Sequence, residues 1–174
     1  MIPVFPVPFI CWKWTSSSRM EKLTVIGIGN RLRGDDAVGP LVIDRLLELD
    51  LPQLDLIDAG SDAIGILEYL SDRSRVRIID ACMMNRQPGE LVCFGADQVE
   101  MIIDHDPQNL HGLGLPEALK MARELGMVPE ELNILGIQPG SIDFQAEISE
   151  SVSQAVDQVV AQIQGVVQEV EENP

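Results

Sequence analysis

The sequence is poor in cysteine: it contains three, an odd number, and no two of them form a C-x-x-C pair. A disulfide framework uses an even set of cysteines and a zinc finger uses closely spaced pairs, so neither class is indicated. Cys82 and Cys93 lie in apolar, strand-like segments, and free cysteine is among the residue types most often buried. We therefore expect both thiols to be small core side chains rather than catalytic groups.

Basic residues are also scarce. The 174 residues include 12 lysines and arginines against 28 aspartates and glutamates, which gives a net charge of −16. Binding to nucleic acid needs clustered basic side chains, so no nucleic-acid partner is expected. No apolar run reaches the roughly 18 residues that a transmembrane helix requires. An apolar content of 45% argues against disorder, and we expect a soluble, cytoplasmic protein with no membrane partner.

The first 19 residues differ in composition from the rest, since they hold three prolines, both tryptophans and a serine run. No basic residue follows Met1 directly, and the prolines interrupt the apolar stretch, which argues against a signal peptide. We interpret residues 1–19 as an extension outside the fold. Residues 20–174 are expected to form a single α/β domain, with Met20 as a candidate natural start.

From residue 22 onward, short apolar segments alternate with amphipathic ones. The predicted strands cover residues 22–30, 54–60, 75–84, 89–97 and 131–140. The predicted helices cover residues 35–50, 63–72, 115–126 and 149–172. The fourth strand follows the third through a Pro-Gly turn and is expected to be antiparallel. This order predicts a three-layer α/β sandwich, in which helices flank a twisted, mostly parallel sheet of about five strands.

The segment GIGNRLRGDD follows the first predicted strand and resembles a phosphate-binding loop. A P-loop would continue with Lys and Ser or Thr, whereas this chain continues with Asp35 and Asp36. A dinucleotide-binding loop would need glycine in place of Leu32. Two carboxylates repel a phosphate, so nucleotide binding is disfavoured. We expect Asp35 to cap the following helix, and Asp36 to be held ionised by the helix N-terminus and available to a cation.

Acidic side chains also end the next two predicted strands. Ligands of open α/β sheets bind at the carboxyl ends of the strands, and this edge is predicted to carry Asp36, Asp58 and Asp80. Asp80 is the most informative because it interrupts an apolar run. A buried carboxylate is costly unless it is paired, hydrogen-bonded or bound to a metal. The alternative is that Asp80 caps a nearby loop or helix.

The two histidines, His105 and His111, lie in one loop ahead of the predicted helix at residues 115–126. A loop histidine is usually only solvated, but beside two acids it is a candidate metal ligand or base. Asp36, Asp80 and one histidine would offer two oxygen ligands and one nitrogen ligand. That donor set suits nickel or zinc better than calcium.

Four segments in series, GIGNRLRGDDAVG, IIDA, HGLGL and GIQPGSID, resemble the hydrogenase maturation endopeptidases. These proteases trim the C-terminal extension from the large subunit of nickel–iron hydrogenases. The resemblance implies that Asp36, Asp80 and His111 bind a metal, and that the partner is the nickel-loaded large-subunit precursor. Nickel would then be supplied by the substrate as the recognition signal. Asp36 stands where the family has Glu or Asp.

Two routes to hydrolysis stay open. Asp36 and Asp80 could act as an aspartic pair, with one of them as general base on water, or the metal could polarise the carbonyl or activate water. Neither G-x-S-x-G nor H-E-x-x-H occurs, so serine hydrolases and zincins are not indicated. The alternatives are a non-catalytic nickel-binding maturation factor, or another metal-dependent peptidase or amidohydrolase.

Overall fold

The computed structural model describes residues 22–104 and 114–172. The described residues contain one five-stranded sheet, formed by β1 (Leu23–Ile28), β2 (Leu54–Gly60), β3 (Arg75–Ala81), β4 (Leu91–Gly95) and β5 (Glu131–Ile137). They also contain the α-helices α1 (Val38–Glu48), α2 (Leu67–Leu70), α3 (Val99–Ile102), α4 (Leu115–Glu124) and α5 (Glu150–Glu172). Residues 1–19, which were expected to be an extension, and both histidines lie outside the described residues.

The strands are ordered β2-β1-β3-β5-β4 across the sheet. The pairs β1–β2, β1–β3 and β3–β5 are parallel, and β4 is antiparallel as expected. Its partner is β5, with Leu91 opposite Ile137 and Gly95 opposite Asn133. This order makes β1 and β3 direct neighbours, so the residues that follow them meet at one place on the edge of the sheet.

Helices cover both faces of the sheet, which confirms the predicted three-layer architecture. Helices α1 and α5 pack on one face, where Val42 and Val156 are fully buried with Leu23 of β1. Helices α2, α3 and α4 contribute to the core on the other face, where Leu70 and Leu119 are fully buried. Consecutive residues of β1 face opposite layers because side chains alternate along a strand. The chain therefore buries two apolar cores around one sheet.

Two helical segments differ from the sequence-based expectation. The helix predicted at 63–72 is a 3-10 turn, Ile64–Ile66, followed by the single turn of α2. The short α3 follows β4 and was not predicted, since a helix of one turn is too short to establish a 3.6-residue apolar period. None of the helices in the described ranges is long and apolar enough to cross a lipid bilayer.

Candidate active site

The glycines of the loop after β1 allow a close approach of helix and strand. A Cβ atom on Gly27 would lie 2.4 Å from the carbonyl oxygen of Gly39, and one on Gly39 would lie 2.2 Å from that of Ile28. Gly29 has a φ of +146°, and a Cβ atom there would lie 1.9 Å from the carbonyl oxygen of Asp36. The segment that resembles a phosphate-binding loop therefore uses its glycines to pack α1 against β1 and to bring Asp36 beside the end of the strand.

Asp36 is half-buried and lines a cleft at the carboxyl ends of β1 and β3. The main-chain amide of Asn30 donates hydrogen bonds to both the carbonyl oxygen and the carboxylate of Asp36, each at 3.1 Å. Burial raises the pKa of Asp36 above its usual value, although the Asn30 amide and the positive charge of Arg33 act in the opposite direction. The loop thus fixes this carboxylate at the cleft.

Asp80 lies near the end of β3 and lines the same cleft. Burial, and then the negative charge of Asp36, raise the pKa of Asp80 well above its usual value. A hydrogen bond from the main-chain amide of Ala81 acts in the opposite direction. Because the charge of Asp36 acts on Asp80 and both residues line one cleft, the structure brings together the two acids that the sequence singled out. A pair of like charges at a cleft is unfavourable for folding and is typical of functional sites.

The rest of the cleft wall combines apolar residues with further acidic and polar ones. The other described acidic residues that line it are Asp62, Asp104 and Glu117, and Arg33 is the only basic residue among the described lining residues. The start of α4 closes one side. Burial and the nearby negative charge of Asp80 raise the pKa of Cys82 well above its usual value, which keeps this buried thiol protonated. Cys82 is thus a core side chain, as expected.

Asp35 is not the helix cap that the sequence predicted. Helix α1 begins at Val38, after a 3-10 turn over Gly34–Ala37, and no side chain caps either element. Asp35 is instead fully buried, and its carboxylate accepts hydrogen bonds from the amides of Gly140, Ser141 and Ser149, at 2.7, 3.0 and 2.7 Å. The hydroxyl of Ser149 donates a fourth, at 3.0 Å.

Burial alone would raise the pKa of Asp35, but its four hydrogen bonds outweigh that effect and the net shift is downward. Asp35 therefore stays ionised and joins the loop after β1 to the connection between β5 and α5. Sequence reasoning missed this role because its partners lie 105 to 114 residues further along the chain. The signal that was present is a second acid beside Asp36 in a loop without lysine.

Gln138 is a second residue whose role sequence reasoning missed. It follows β5 and is 4% exposed. Its side-chain oxygen accepts hydrogen bonds from the main-chain amides of Met84 and Arg86, at 2.7 and 3.2 Å. Gln138 thereby orders the segment after β3, which includes the cleft-lining residue Met83. The only sequence signal was a polar residue at the end of an apolar strand.

Asp58, the third acid predicted at this edge, is not among the residues that line the cleft. It forms an ion pair with Arg31 at 2.8 Å, and the same guanidinium binds both carboxylate oxygens of Asp44, at 2.5 and 2.9 Å. These contacts raise the pKa of Arg31. Of the three acids predicted at this edge of the sheet, Asp36 and Asp80 therefore line the cleft, whereas Asp58 is paired with Arg31.

His105 and His111 lie outside the described residues, in the segment between Asp104 and Gly114. Asp104 and Gly114 themselves line the cleft. Within residues 22–104 and 114–172, no three His, Cys, Asp or Glu side chains are grouped so that they could hold a metal ion. Asp36 and Asp80 both line the cleft, and the negative charge of Asp36 acts on Asp80. Repulsion of this kind is relieved by a divalent cation.

Three comparisons with known proteins agree on one family. The sequence model of the hydrogenase maturation protease family matches residues 41–166. A protein of Methanocaldococcus jannaschii assigned to the hydrogenase maturation proteases is 34% identical, over 76% of this chain and 80% of its own length. The hydrogenase expression/formation protein HupD of Rhodobacter capsulatus is 28% identical over 71% of this chain, and the match spans 60% of the HupD length.

The fold gives the same result. The crystal structure of the [NiFe] hydrogenase maturation protease HycI from Thermococcus kodakarensis superimposes with a TM-score of 0.68 and 25% identity. The superposition covers 84% of this chain and 92% of the HycI chain. The similarity therefore extends over most of both chains.

Proposed function

The chain belongs to the hydrogenase maturation protease family, and from this premise we propose that it is an endopeptidase acting on the large-subunit precursor of a nickel–iron hydrogenase. It removes the C-terminal extension of that precursor after nickel has been inserted. The observation that carries the proposal is the convergence of Asp36 and Asp80 on one cleft, where the charge of Asp36 raises the pKa of Asp80. The proposed place of action is the cytoplasm, which rests on sequence composition alone.

We propose that Asp36, Asp80 and His111 bind the nickel ion of the precursor. Two neighbouring carboxylates repel each other when both are ionised, and a divalent cation between them turns that repulsion into attraction. A nickel-loaded precursor is therefore favoured over a nickel-free one. Two oxygen ligands and one nitrogen ligand leave coordination positions for ligands of the precursor itself. Nickel is in this account part of the substrate.

Binding of the nickel ion by these residues also positions the precursor for hydrolysis. A metal-bound segment of the precursor brings the nearby scissile bond into the cleft, where the effective concentration of the reacting groups is high. Asp36 and Asp80 would hold the nickel ion in their ionised form, and the ion would supply Lewis acidity toward the carbonyl group or water. The aspartic-pair route requires a different protonation state, because one of the two acids must keep its proton.

The experiment that tests the proposal is incubation of the purified chain with a nickel-loaded large-subunit precursor, followed by intact-mass measurement of the precursor. The expected result is one cut that removes one C-terminal peptide. A precursor that binds but keeps its mass would identify the chain as a non-catalytic nickel-binding factor. Stoichiometric metal in the purified chain, retained through chelation, would instead favour a metallopeptidase that carries its own ion.

A further inference from the structure

Two large apolar side chains are exposed on loops next to the cleft. Leu32 is 59% exposed and lies in the loop between β1 and α1. Phe144 is 66% exposed and lies in the connection between β5 and α5. Each leaves apolar surface in contact with water in the free protein, and covering that surface on binding would contribute to affinity.

Hydrogen bonds join the two loops. The main-chain amide of Gln145 donates to the carbonyl oxygen of Leu32 at 2.7 Å, and the Nε atom of Arg33 donates to that of Ile142 at 3.1 Å. The amide of Asp35 also donates to the carbonyl oxygen of Ser141 at 2.9 Å, and the buried Asp35 carboxylate adds the bonds described above. These contacts hold the backbones next to Leu32 and Phe144 in a fixed relation.

Arg33 connects this pair to the cleft. It follows Leu32 directly, lines the cleft, and is close enough to Asp36 for its positive charge to lower the Asp36 pKa. Its Nε atom is used by Ile142, whereas its two terminal nitrogens have no hydrogen-bond or ion-pair partner among the described residues. The free N–H groups of Arg33 can donate to carbonyl oxygens, and Leu32 and Phe144 can contact apolar side chains. A polypeptide segment offers both kinds of group.

Resting on the function proposed above, we propose that Leu32 and Phe144 form a docking surface for an apolar segment of the precursor polypeptide. Arg33 binds main-chain carbonyl oxygens of the same segment at the entrance to the cleft. Nickel ligation positions the segment of the precursor around the metal, and an endopeptidase must in addition hold the polypeptide on either side of the scissile bond. The docking surface, defined as Leu32, Arg33 and Phe144, therefore supplies affinity for the precursor that does not depend on the metal.

Two other occupants are conceivable for this surface, and both have measurable consequences. A second copy of this chain would make the protein self-associate through Leu32 and Phe144. A segment of the same chain outside the described residues would make the two side chains contribute to folding stability. Docking of a precursor predicts neither effect, since it leaves the free protein unassociated through this surface and equally stable without it.

The test compares the full-length chain with the double variant Leu32→Gln/Phe144→Gln. The matched control is Leu125→Gln, because Leu125 is 62% exposed but lies at the C-terminal end of α4, about 15 Å along the helix from the end that lines the cleft. Four experiments are performed: binding of purified nickel-loaded precursor to the immobilised chain, processing kinetics that give kcat and KM, sedimentation velocity, and thermal unfolding.

The double variant is expected to bind the precursor at least about tenfold more weakly and to raise KM accordingly, since burying a single Leu or Phe side chain is worth more than a tenfold change in affinity. Its kcat at saturating precursor, its melting temperature and its sedimentation should match those of the wild type and the control. Wild-type binding by the double variant, with processing intact in all three proteins, would overturn the docking surface and leave the proposed function standing.

Three further results separate the occupants and the two proposals. A loss of self-association, or a melting temperature lowered by several degrees, would assign the surface to a second copy or to the chain itself and would overturn precursor docking. If the wild type binds precursor without cutting it and the double variant fails to bind, the proposed function is wrong and the docking surface is upheld. If the wild type neither binds nor cuts the precursor, both proposals are wrong.

Discussion

The carboxylate of Asp35 accepts hydrogen bonds from both the main-chain amide and the hydroxyl of Ser149, at 2.7 and 3.0 Å. Ser149 directly precedes the last helix, α5, while Asp35 follows the first strand, so the contact joins the loop after β1 to the start of α5. The next residue, Asp36, lines the cleft. Two adjacent carboxylates thus have different surroundings, since one joins loops and the other lines the cleft.

Asp35→Asn is expected to destabilise the protein. The asparagine NH2 group would face main-chain N–H donors, so that buried N–H groups lose their acceptor. The expected loss in the free energy of unfolding is on the order of 3 kcal/mol. Denaturant unfolding of the variant measures this cost. The matched variant Asp36→Asn should unfold within about 1 kcal/mol of the wild type but fail to process precursor. Equal unfolding free energies for the two variants would refute this division of roles.

Asp80→Asn is expected to stabilise the metal-free protein at neutral pH. Because the folded-state pKa of Asp80 is raised above 3.8, the folded wild type resists ionisation, and its stability falls as pH rises from that ordinary value through the raised one. The variant has no charge to bury. Thermal unfolding in chelator across pH should show a stability difference that vanishes in acid and grows toward neutral pH. A difference of the same size at every pH would contradict this assignment.

The pH dependence of processing separates the two routes to hydrolysis. Nickel ligation needs Asp80 ionised, so protons compete with the metal and kcat/KM should rise as pH increases through the raised pKa of Asp80. If Asp80 instead donated a proton, kcat/KM would fall over the same range. Our account predicts the rise for the wild type. The measurement is the initial rate of precursor cleavage across pH at constant ionic strength.

The two histidines are expected to behave unequally. His111→Ala should abolish tight binding of nickel-loaded precursor, whereas His105→Ala should retain it. The basis is the sequence motif HGLGL, since both residues lie outside the described part of the chain. Isothermal titration with loaded precursor gives the two affinities. If His105→Ala were the variant that lost binding, the imidazole ligand would be His105 and the similarity to the family would be weaker in this loop.

The fold and the pair of acids could be predicted from the sequence because both depend on local patterns. Apolar segments of strand length end near Asp58 and Asp80, and a third leads into the GIGN segment. Because the carboxyl ends of parallel strands lie at the same edge of a sheet, these ends were predicted to lie together. Neighbouring positions of β1 and β3 in the sheet then made Asp36 and Asp80 share a cleft. Asp58 also lies near the end of an apolar strand, but it is paired with Arg31 of the loop after β1.

The remaining features could not be predicted because they depend on contacts between distant segments. Asp35 has the composition of a helix cap, and only the fold reveals that Gly140, Ser141 and Ser149 surround it. The partner of β4 likewise follows from the insertion of β5 beside β3 rather than from the turn before it. Local sequence specifies the type of an element, whereas long-range burial and hydrogen bonding specify which residues meet.

The most direct test of the central claim measures cleavage of nickel-loaded and nickel-free precursor side by side, with wild type and Asp80→Asn, by intact mass over time. If Asp36 and Asp80 recognise nickel in the substrate, the wild type should cut only the loaded precursor and bind it more tightly than the nickel-free form. Asp80→Asn should bind both forms alike and cut neither. Efficient cleavage of nickel-free precursor by metal-stripped wild type would contradict nickel recognition, although the chain would still be a protease.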